Sequence, residues 1–336
     1  MGDVIDVLVT MPFSDAQLER VRAVSPRLRV RRAEPASADY RGVRVLYAGA
    51  PPRELSRAPQ LEWVQVHMAG INGLYEHPLY GDSAIPIATT SGVHAAAIAE
   101  YAITMVLALA HRVPRMVEWQ AKGGWPPDRD RWPLFVPTEI RGATLGIIGY
   151  GSIGRELARM ARAAFGMTIL ALKRDPAARA DDGYRLPGTG DPDGTLPEAW
   201  LGPAQLHALL ARSDVVVMAA PLTPATRGML GAREFRAMKP TAYFINVGRG
   251  ASVDEAALAQ ALADRQLAGA AVDVFAEEPP PVGHPLYGVD NVLLSPHVSG
   301  FLPSYDDKCT DLFAENLRRW LAGAPLLNLV DRARGY

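Results

Sequence analysis

Residues 145–154 read Leu-Gly-Ile-Ile-Gly-Tyr-Gly-Ser-Ile-Gly. Leu145 to Ile148 is an apolar run of strand length. Gly149, Gly151 and Gly154 follow as G-x-G-x-x-G, and residues 155–164 continue with helical spacing. Strand, glycine-rich turn and helix in that order form the pattern of a dinucleotide-binding turn. The first glycine permits the tight turn, the second lets the main chain approach a pyrophosphate, and the third lets the helix pack close to the strand. The pyrophosphate is expected over Ser152 and Ile153, where amide donors ahead of the helix and the helix dipole favour negative charge.

On either side of this turn the chain alternates strands and helices. Before it, strands are expected at Val4–Thr10, Val43–Ala48 and Leu61–Val66, with a helix over Ser14–Val24 capped by Ser14 or Asp15. Thr90-Ser91-Gly92 interrupts the pattern. A helix then runs from about His94 to Arg112, apolar on most faces, and the Gly-, Pro- and Trp-containing stretch 123–139 reads as a loop. After the turn come strand 168–172, helix 204–212, strand 215–219, helix 231–238, strand 242–247, helix 254–264, and strands 269–274 and 292–295. An amphipathic helix over 304–322 closes the chain. Residues 175–204, rich in Pro, Gly and Asp, read as an extended surface insertion.

The expected fold is therefore α/β, with two doubly wound (Rossmann- or flavodoxin-like) parallel-sheet domains. The dinucleotide-binding Rossmann domain, residues 93–301, is inserted into a substrate-binding domain made of 1–92 and 302–336. Ligands of such sheets bind beyond the carboxyl ends of the strands, and a substrate is expected in the cleft between the domains.

The bulk properties exclude several classes. In 336 residues, 35 Lys and Arg face 36 Asp and Glu, for a formal charge of −1, so no general affinity for nucleic acid or an anionic membrane is expected. Tyr101–Ala110 is far shorter than the ~20 residues of a spanning helix. Cys309 is the sole cysteine, which fits a reducing compartment, and no signal peptide is read. A cytoplasmic protein without a metal centre is expected.

Three strand ends after the turn carry polar groups where an open α/β sheet presents its ligands: Asn246-Val247-Gly248-Arg249-Gly250, Asp273-Val274-Phe275-Ala276-Glu277-Glu278-Pro279, and Ser295-Pro296-His297. Arg249 lies between two glycines and offers a guanidinium suited to a bidentate grip on a carboxylate; the alternative is a surface arginine in a loop. His297 has the side chain suited to proton exchange near neutral pH, although a lone histidine more often packs or caps. Glu278, if paired with that imidazole, would orient it and favour its protonated form. Glu277 is the solvated neighbour.

These segments, with Pro221-Leu222-Thr223, His284-Pro285-Leu286 and the glycine-rich turn, resemble the D-isomer-specific 2-hydroxyacid dehydrogenase family over nearly the whole chain. The resemblance implies a catalytic set of Arg249, Glu278 and His297, with Asp273 beside the nicotinamide. It places cofactor contacts at Gly149, Gly151, Ser152, Ile153, Gly154, Pro221, Thr226, Val247, Gly248, Asp273 and His297. The loop Met68-Ala69-Gly70-Ile71-Asn72 is similar to the family's substrate-carboxylate loop, with Met68, Ala69 and Gly70 as the binding residues. The implied reaction moves a hydride between NAD(P)H and a small 2-keto acid, with His297 as acid or base, in a glyoxylate/hydroxypyruvate-type reductase. A homodimer is implied as well, to which the apolar helix 94–112 could contribute.

The choice of dinucleotide turns on the residues after strand 168–172. The acidic residue that binds the ribose of NAD about 20 positions beyond the turn is replaced by Lys173, followed by Arg174. Two cations suit a 2′-phosphate and favour NADP over NAD. Alternatively Asp175 serves the ribose, or merely starts a turn before Pro176.

Other signals stay open. His94 and His67 are either near the active site or structural. Trp119, Trp125 and Trp132 either shape a substrate pocket or bury a subunit interface. Thr90-Ser91 replaces an Asn-containing turn common in the family. Two further classes compete: a dinucleotide-sensing, corepressor-like binding protein, against which stands the lack of a visible partner-binding tail, and a formate- or phosphite-type dehydrogenase. Formate enzymes of the family carry Gln where this chain has Glu278.

Overall fold

Short buried runs of Val, Ile, Leu and Ala make the strands, and the computed structural model describes residues 3–81 and 83–336. The chain begins with β1 (Ile5–Val9), α1 (Asp15–Arg22), β2 (Leu28–Arg32), β3 (Val43–Ala48), β4 (Trp63–Val66), α2 (Pro78–Gly81) and β5 (Ile87–Ala88). It continues through α3 (Ala95–Ala110), α4 (Val113–Ala121), α5 (Asp128–Phe135), β6 (Thr144–Ile148), α6 (Ser152–Phe165), β7 (Thr168–Leu172) and β8 (Ala199–Leu201). Then come α7 (Leu206–Arg212), β9 (Val215–Met218), α8 (Ala232–Arg236), β10 (Tyr243–Asn246), α9 (Glu255–Ala263), β11 (Gly269–Val272), β12 (Val292–Leu294) and α10 (Tyr305–Leu321).

Two compact units result. One comprises residues 1–94, 182–186 and 302–336; the other comprises 95–181 and 187–301. Each has its own parallel sheet, in the order β2-β1-β3-β4-β5 and β12-β11-β10-β9-β6-β7-β8 respectively.

In the first unit β1 is buried at every position. Ser14 starts α1 with a capping box: its hydroxyl accepts the Gln17 amide while the Gln17 side chain accepts the Ser14 amide. The tail helix α10 belongs to this unit. Its buried positions Cys309, Leu312, Phe313, Asn316 and Leu317 recur at helical spacing, and the apolar ones join the core around Val7, Tyr47 and Trp63. Edge strand β2 adds to the strands expected from the sequence. Its Leu28 and Val30 point inward while Arg29 and Arg31 alternate with them, so arginine content hid a half-buried strand.

The second sheet is covered on both faces. Ile147, Ile169, Ala171, Val215, Val217 and Ile245 share a core with α3 and α6, whereas their neighbours Ile148, Leu170, Val216, Met218 and Phe244 share one with α7, α8 and α9. That explains why these strands read as unbroken apolar runs. It also absorbs much of α3, whose Ile98, Ala102, Val106 and Leu109 are buried in this core. Five exposed apolar side chains, Val113, Met116, Val117, Trp125 and Trp132, fall on and around α4 and α5 instead. Part of the loop expected at 123–139 is helical, as α5, with Asp128 and Asp130 in its first turn and an Asp128–Arg131 ion pair at 2.7 Å.

The insertion 175–204 departs most from expectation. It contributes β8, paired with β7, and is tied down by polar contacts. Arg155, fully buried on α6, donates to the carbonyls of Asp191, Arg179 and Ala180. Asp191, also buried, accepts the hydroxyl of Tyr150 at 2.8 Å and the amides of Thr195 and Leu196. Residues 182–186 lie apart from this network and pack in the first unit, where Asn328 Oδ1 accepts the Tyr184 amide at 3.0 Å. The same Asn328 side chain donates to the carbonyls of Thr89 and Ser91. The tail thus supplies a carboxamide to the carbonyls on either side of Thr90.

Replacing Arg155 by Met keeps the bulk of the side chain but removes the donor from three carbonyls. The expected cost is about 2–4 kcal/mol, read from urea unfolding, with faster proteolytic nicking inside 175–195. An unchanged midpoint would show that the insertion is held by other contacts.

Candidate active site

The order of the second sheet creates the site. β7 and β8 lie to one side of β6, and β9 to β12 lie to the other, so the chain reverses direction across the sheet between β6 and β9. A crevice beyond the strand ends at such a point is where open α/β sheets bind dinucleotides.

The glycine-rich turn leaves β6 there. Gly149 has φ of +96°, and a Cβ on it would stand 2.5 Å from the Ala220 amide nitrogen. A Cβ on Gly154 would come within 2.6 Å of the Gly149 carbonyl. Packing therefore requires both glycines. Gly151 differs: a Cβ there meets no heavy atom within 4 Å. It is the N-cap of α6, and Arg155 N–H bonds back to its carbonyl, leaving the amides of Ser152 and Ile153 ahead of that bond. What a side chain at Gly151 would fill is the open space before a helix N-terminus, and this fits a pyrophosphate. Around it, Val247 is buried and donates its amide to Met218, and the Gly248 amide bonds the Asn246 side chain. The Thr226 hydroxyl secures its own loop, donating to the Pro221 carbonyl at 2.7 Å and accepting the Thr223 amide.

Lys173 and Arg174 follow β7 directly, Lys173 half-buried with its ammonium on the Ala178 carbonyl and Arg174 exposed. Asp175 Oδ1 accepts the Ala177 amide at 2.9 Å, as a residue that starts a turn does.

Arg249, Glu278 and His297 leave the ends of β10, β11 and β12, adjacent strands of one sheet. His297 Nδ1 lies 2.7 Å from Glu278 Oε2, and Glu278 Oε1 accepts the Phe275 amide at 2.9 Å. Both side chains of the pair are partly open to solvent, 50% and 37% exposed, so the imidazole is held but reachable. Arg249 Nη1 donates to the Gly248 carbonyl at 2.7 Å. Next to it, a Cβ on Gly250 would fall 1.9 Å from the Phe275 carbonyl carbon. Main chain presses on main chain there, which brings the Arg249 turn against the segment carrying Glu278.

Asp273 is fully buried. Its carboxylate accepts the Ser295 hydroxyl at 2.6 Å and the amides of Val298 and Ser299, while its own carbonyl accepts the His297 amide at 2.8 Å. His297 adopts φ of +54°, a conformation uncommon for a side-chain-bearing residue and sustained here by these bonds. Ser295 and Tyr101, whose hydroxyls bond each other, complete the support. Burial pushes the Tyr101 hydroxyl pKa up, so it stays protonated. No motif signalled Tyr101, because it lies on α3, far away in sequence.

In the first unit, Met68, Ala69 and Gly70 follow β4, and the Met68 carbonyl accepts the Thr90 amide at 3.1 Å. His67 is engaged structurally: Nδ1 meets the Tyr47 hydroxyl at 2.7 Å, Nε2 lies 3.4 Å from Asp306, and its carbonyl accepts the Tyr305 hydroxyl. Burial lowers its pKa, opposed by the Asp306 charge. The His94 ring lies 5.9 Å from that of Tyr305.

With this geometry in view, the similarities to known proteins are informative. Residues 103–299, over half the chain, match the D-isomer specific 2-hydroxyacid dehydrogenase, NAD binding domain. The chain is 34% identical to a glyoxylate reductase of Aeropyrum pernix over 83% of its length and 78% of the relative's. Among solved structures, a D-isomer specific 2-hydroxyacid dehydrogenase from Xanthobacter autotrophicus in complex with NADPH and MES superposes with a TM-score of 0.79 at 30% identity, all of both chains being covered. An NADPH-dependent glyoxylate/hydroxypyruvate reductase from Sinorhizobium meliloti in complex with NADP and sulfate gives 0.78 at 26%, over 99% of this chain and all of that one.

Proposed function

The chain belongs to the D-isomer specific 2-hydroxyacid dehydrogenase family and is an NAD(P)-dependent oxidoreductase, and from that premise we propose that it reduces a small 2-keto acid, glyoxylate or hydroxypyruvate, with NADPH. The product is the 2-hydroxy acid, of D configuration where the carbon is chiral. The observation that carries the reading is the 2.7 Å contact between His297 Nδ1 and Glu278 Oε2. With Nδ1 engaged by the carboxylate, the transferable proton of the imidazolium is the one on Nε2. His297 gives that proton to the carbonyl oxygen as it gains negative charge, and Glu278 holds the ring in place and balances its positive charge. Arg249 grips the substrate carboxylate as a fork and turns the carbonyl towards His297. When bound, the dinucleotide supplies the hydride, and the Gly149–Gly154 turn with the first amides of α6 holds its pyrophosphate. In oxidation the same imidazole, neutral, takes the hydroxyl proton. Met68, Ala69 and Gly70 belong to the same proposal as amide donors to a carboxylate.

Loss of reduced-nicotinamide absorbance with glyoxylate, hydroxypyruvate, pyruvate and phenylpyruvate tests this. Turnover is expected with the first two, and His297→Ala should lower kcat about 10²- to 10⁴-fold. A variant as active as the parent would sink the acid–base assignment.

Two features support NADP over NAD: cations stand at 173 and 174, and Asp175 spends its carboxylate on a turn. Replacing both Lys173 and Arg174 by Ala should raise KM for NADPH about tenfold or more and leave KM for NADH nearly unchanged. Equal losses for both cofactors would argue against a 2′-phosphate site.

The solvent-exposed Val113, Met116, Val117, Trp125 and Trp132 support a homodimer through the α4–α5 surface. Sedimentation should give twice the chain mass, reverting to the single mass in a Trp125→Glu/Trp132→Glu variant. A parent that sediments as one chain refutes it. The single, buried Cys309 supports the cytoplasm as the compartment, which fractionation of cells would check.

A further inference from the structure

A second carboxylate–imidazole pair lies behind the first. Glu255 opens α9, and His284 precedes the short helical turn Pro285–Gly288. Glu255 Oε2 and His284 Nε2 are 2.9 Å apart, with side chains only 13% and 8% exposed. The Leu286 amide donates to His284 Nδ1, so the ring's proton is on Nε2 and points at Glu255. The other Glu255 oxygen, Oε1, accepts the Ala276 amide at 2.7 Å. The preceding amide, of Phe275, goes to Glu278 Oε1. Two carboxylates therefore hold consecutive amides of one turn: the inner one ends on His284, and the outer one ends on His297. The His284 ring also stands edge-on to the Phe275 ring, 5.6 Å between centroids and 89° between planes. The Gly250 main chain also presses on Phe275 and Ala276.

We propose that Glu255, oriented by His284, is a positioning residue for the acid–base pair. It fixes the Phe275–Glu278 turn so that Glu278 Oε2 meets His297 Nδ1, and thereby sets the direction in which Nε2 presents its proton. Neither residue touches the reacting atoms. The inference rests on the reading of Glu278 and His297 given above. A pair that only stapled α9 to the neighbouring loop would affect stability alone, whereas a positioning pair acts through Glu278 and loses its effect when Glu278 is gone.

The experiment is steady-state reduction of glyoxylate with NADPH by the full chain, its Glu255→Ala and Glu278→Ala variants, and the double variant. Glu255→Ala should lower kcat about tenfold or more while both KM values stay within about twofold. Added to Glu278→Ala, it should change kcat by less than about twofold. Glu255→Gln keeps an oxygen for the Ala276 amide but turns an amide donor towards the His284 Nε2 proton, and should recover only part of the lost kcat. The same loss in both backgrounds, or an unchanged kcat beside a lowered Tm, overturns the proposal. If Glu255→Ala does not fold, His284→Gln goes through the same cycle with the same expected pattern. A parent protein inert towards glyoxylate and hydroxypyruvate overturns the substrate reading and this inference with it, whereas an active parent with additive losses overturns the inference alone.

Discussion

One buried carboxylate governs the candidate site at the end of the second sheet. Asp273 is shut off from solvent, and a charge so placed must be compensated by hydrogen bonds or destabilise the fold. Its compensation comes from the Ser295 hydroxyl and the amides of Val298 and Ser299, all on the segment that follows β12. That segment thus has little freedom to move, and His297 is held at a positive φ within it. The need to satisfy one buried acid becomes the fixed orientation of the imidazole.

The other site residues follow the same logic of support from behind. Parallel pairing of β10, β11 and β12 brings three strand ends side by side, and what leaves each end is set by close main-chain contact. At Gly250 no side chain would fit. At Gly154 the helix lies on the turn it follows. The glycine-rich turn is supported in turn by the insertion, through Tyr150 on Asp191 and Arg155 on three carbonyls. A stretch that looks like loop from its composition therefore acts as a polar strut beside the dinucleotide turn.

How much of this was legible in the sequence depends on the range of the forces involved. The turn at 149–154, the strands around it and the tail helix 305–321 could be read directly, because glycine spacing and apolar period are local properties. So could the candidate set Arg249, Glu278 and His297, since each stands just beyond an apolar run. Other elements leave no such local signal. Edge strand β2 carries arginines on its outer positions. Helix α5 is short and contains Pro133. The insertion lacks periodicity, and what orders it is the partners Arg155 and Glu156, both on α6.

The sequence alone determined the period of each element, the chemical type available at each strand end, and the charge at 173 and 174. These depend on neighbours within a few residues. Only the tertiary structure decided the rest. Ser295, Tyr101 and Asp273 form one hydrogen-bonded line, Glu255 and His284 stand behind Glu278, and Asn328 closes a turn more than two hundred residues away in sequence. Buried polar groups take whichever partner the packing brings within about 3 Å, and sequence spacing carries no record of that choice.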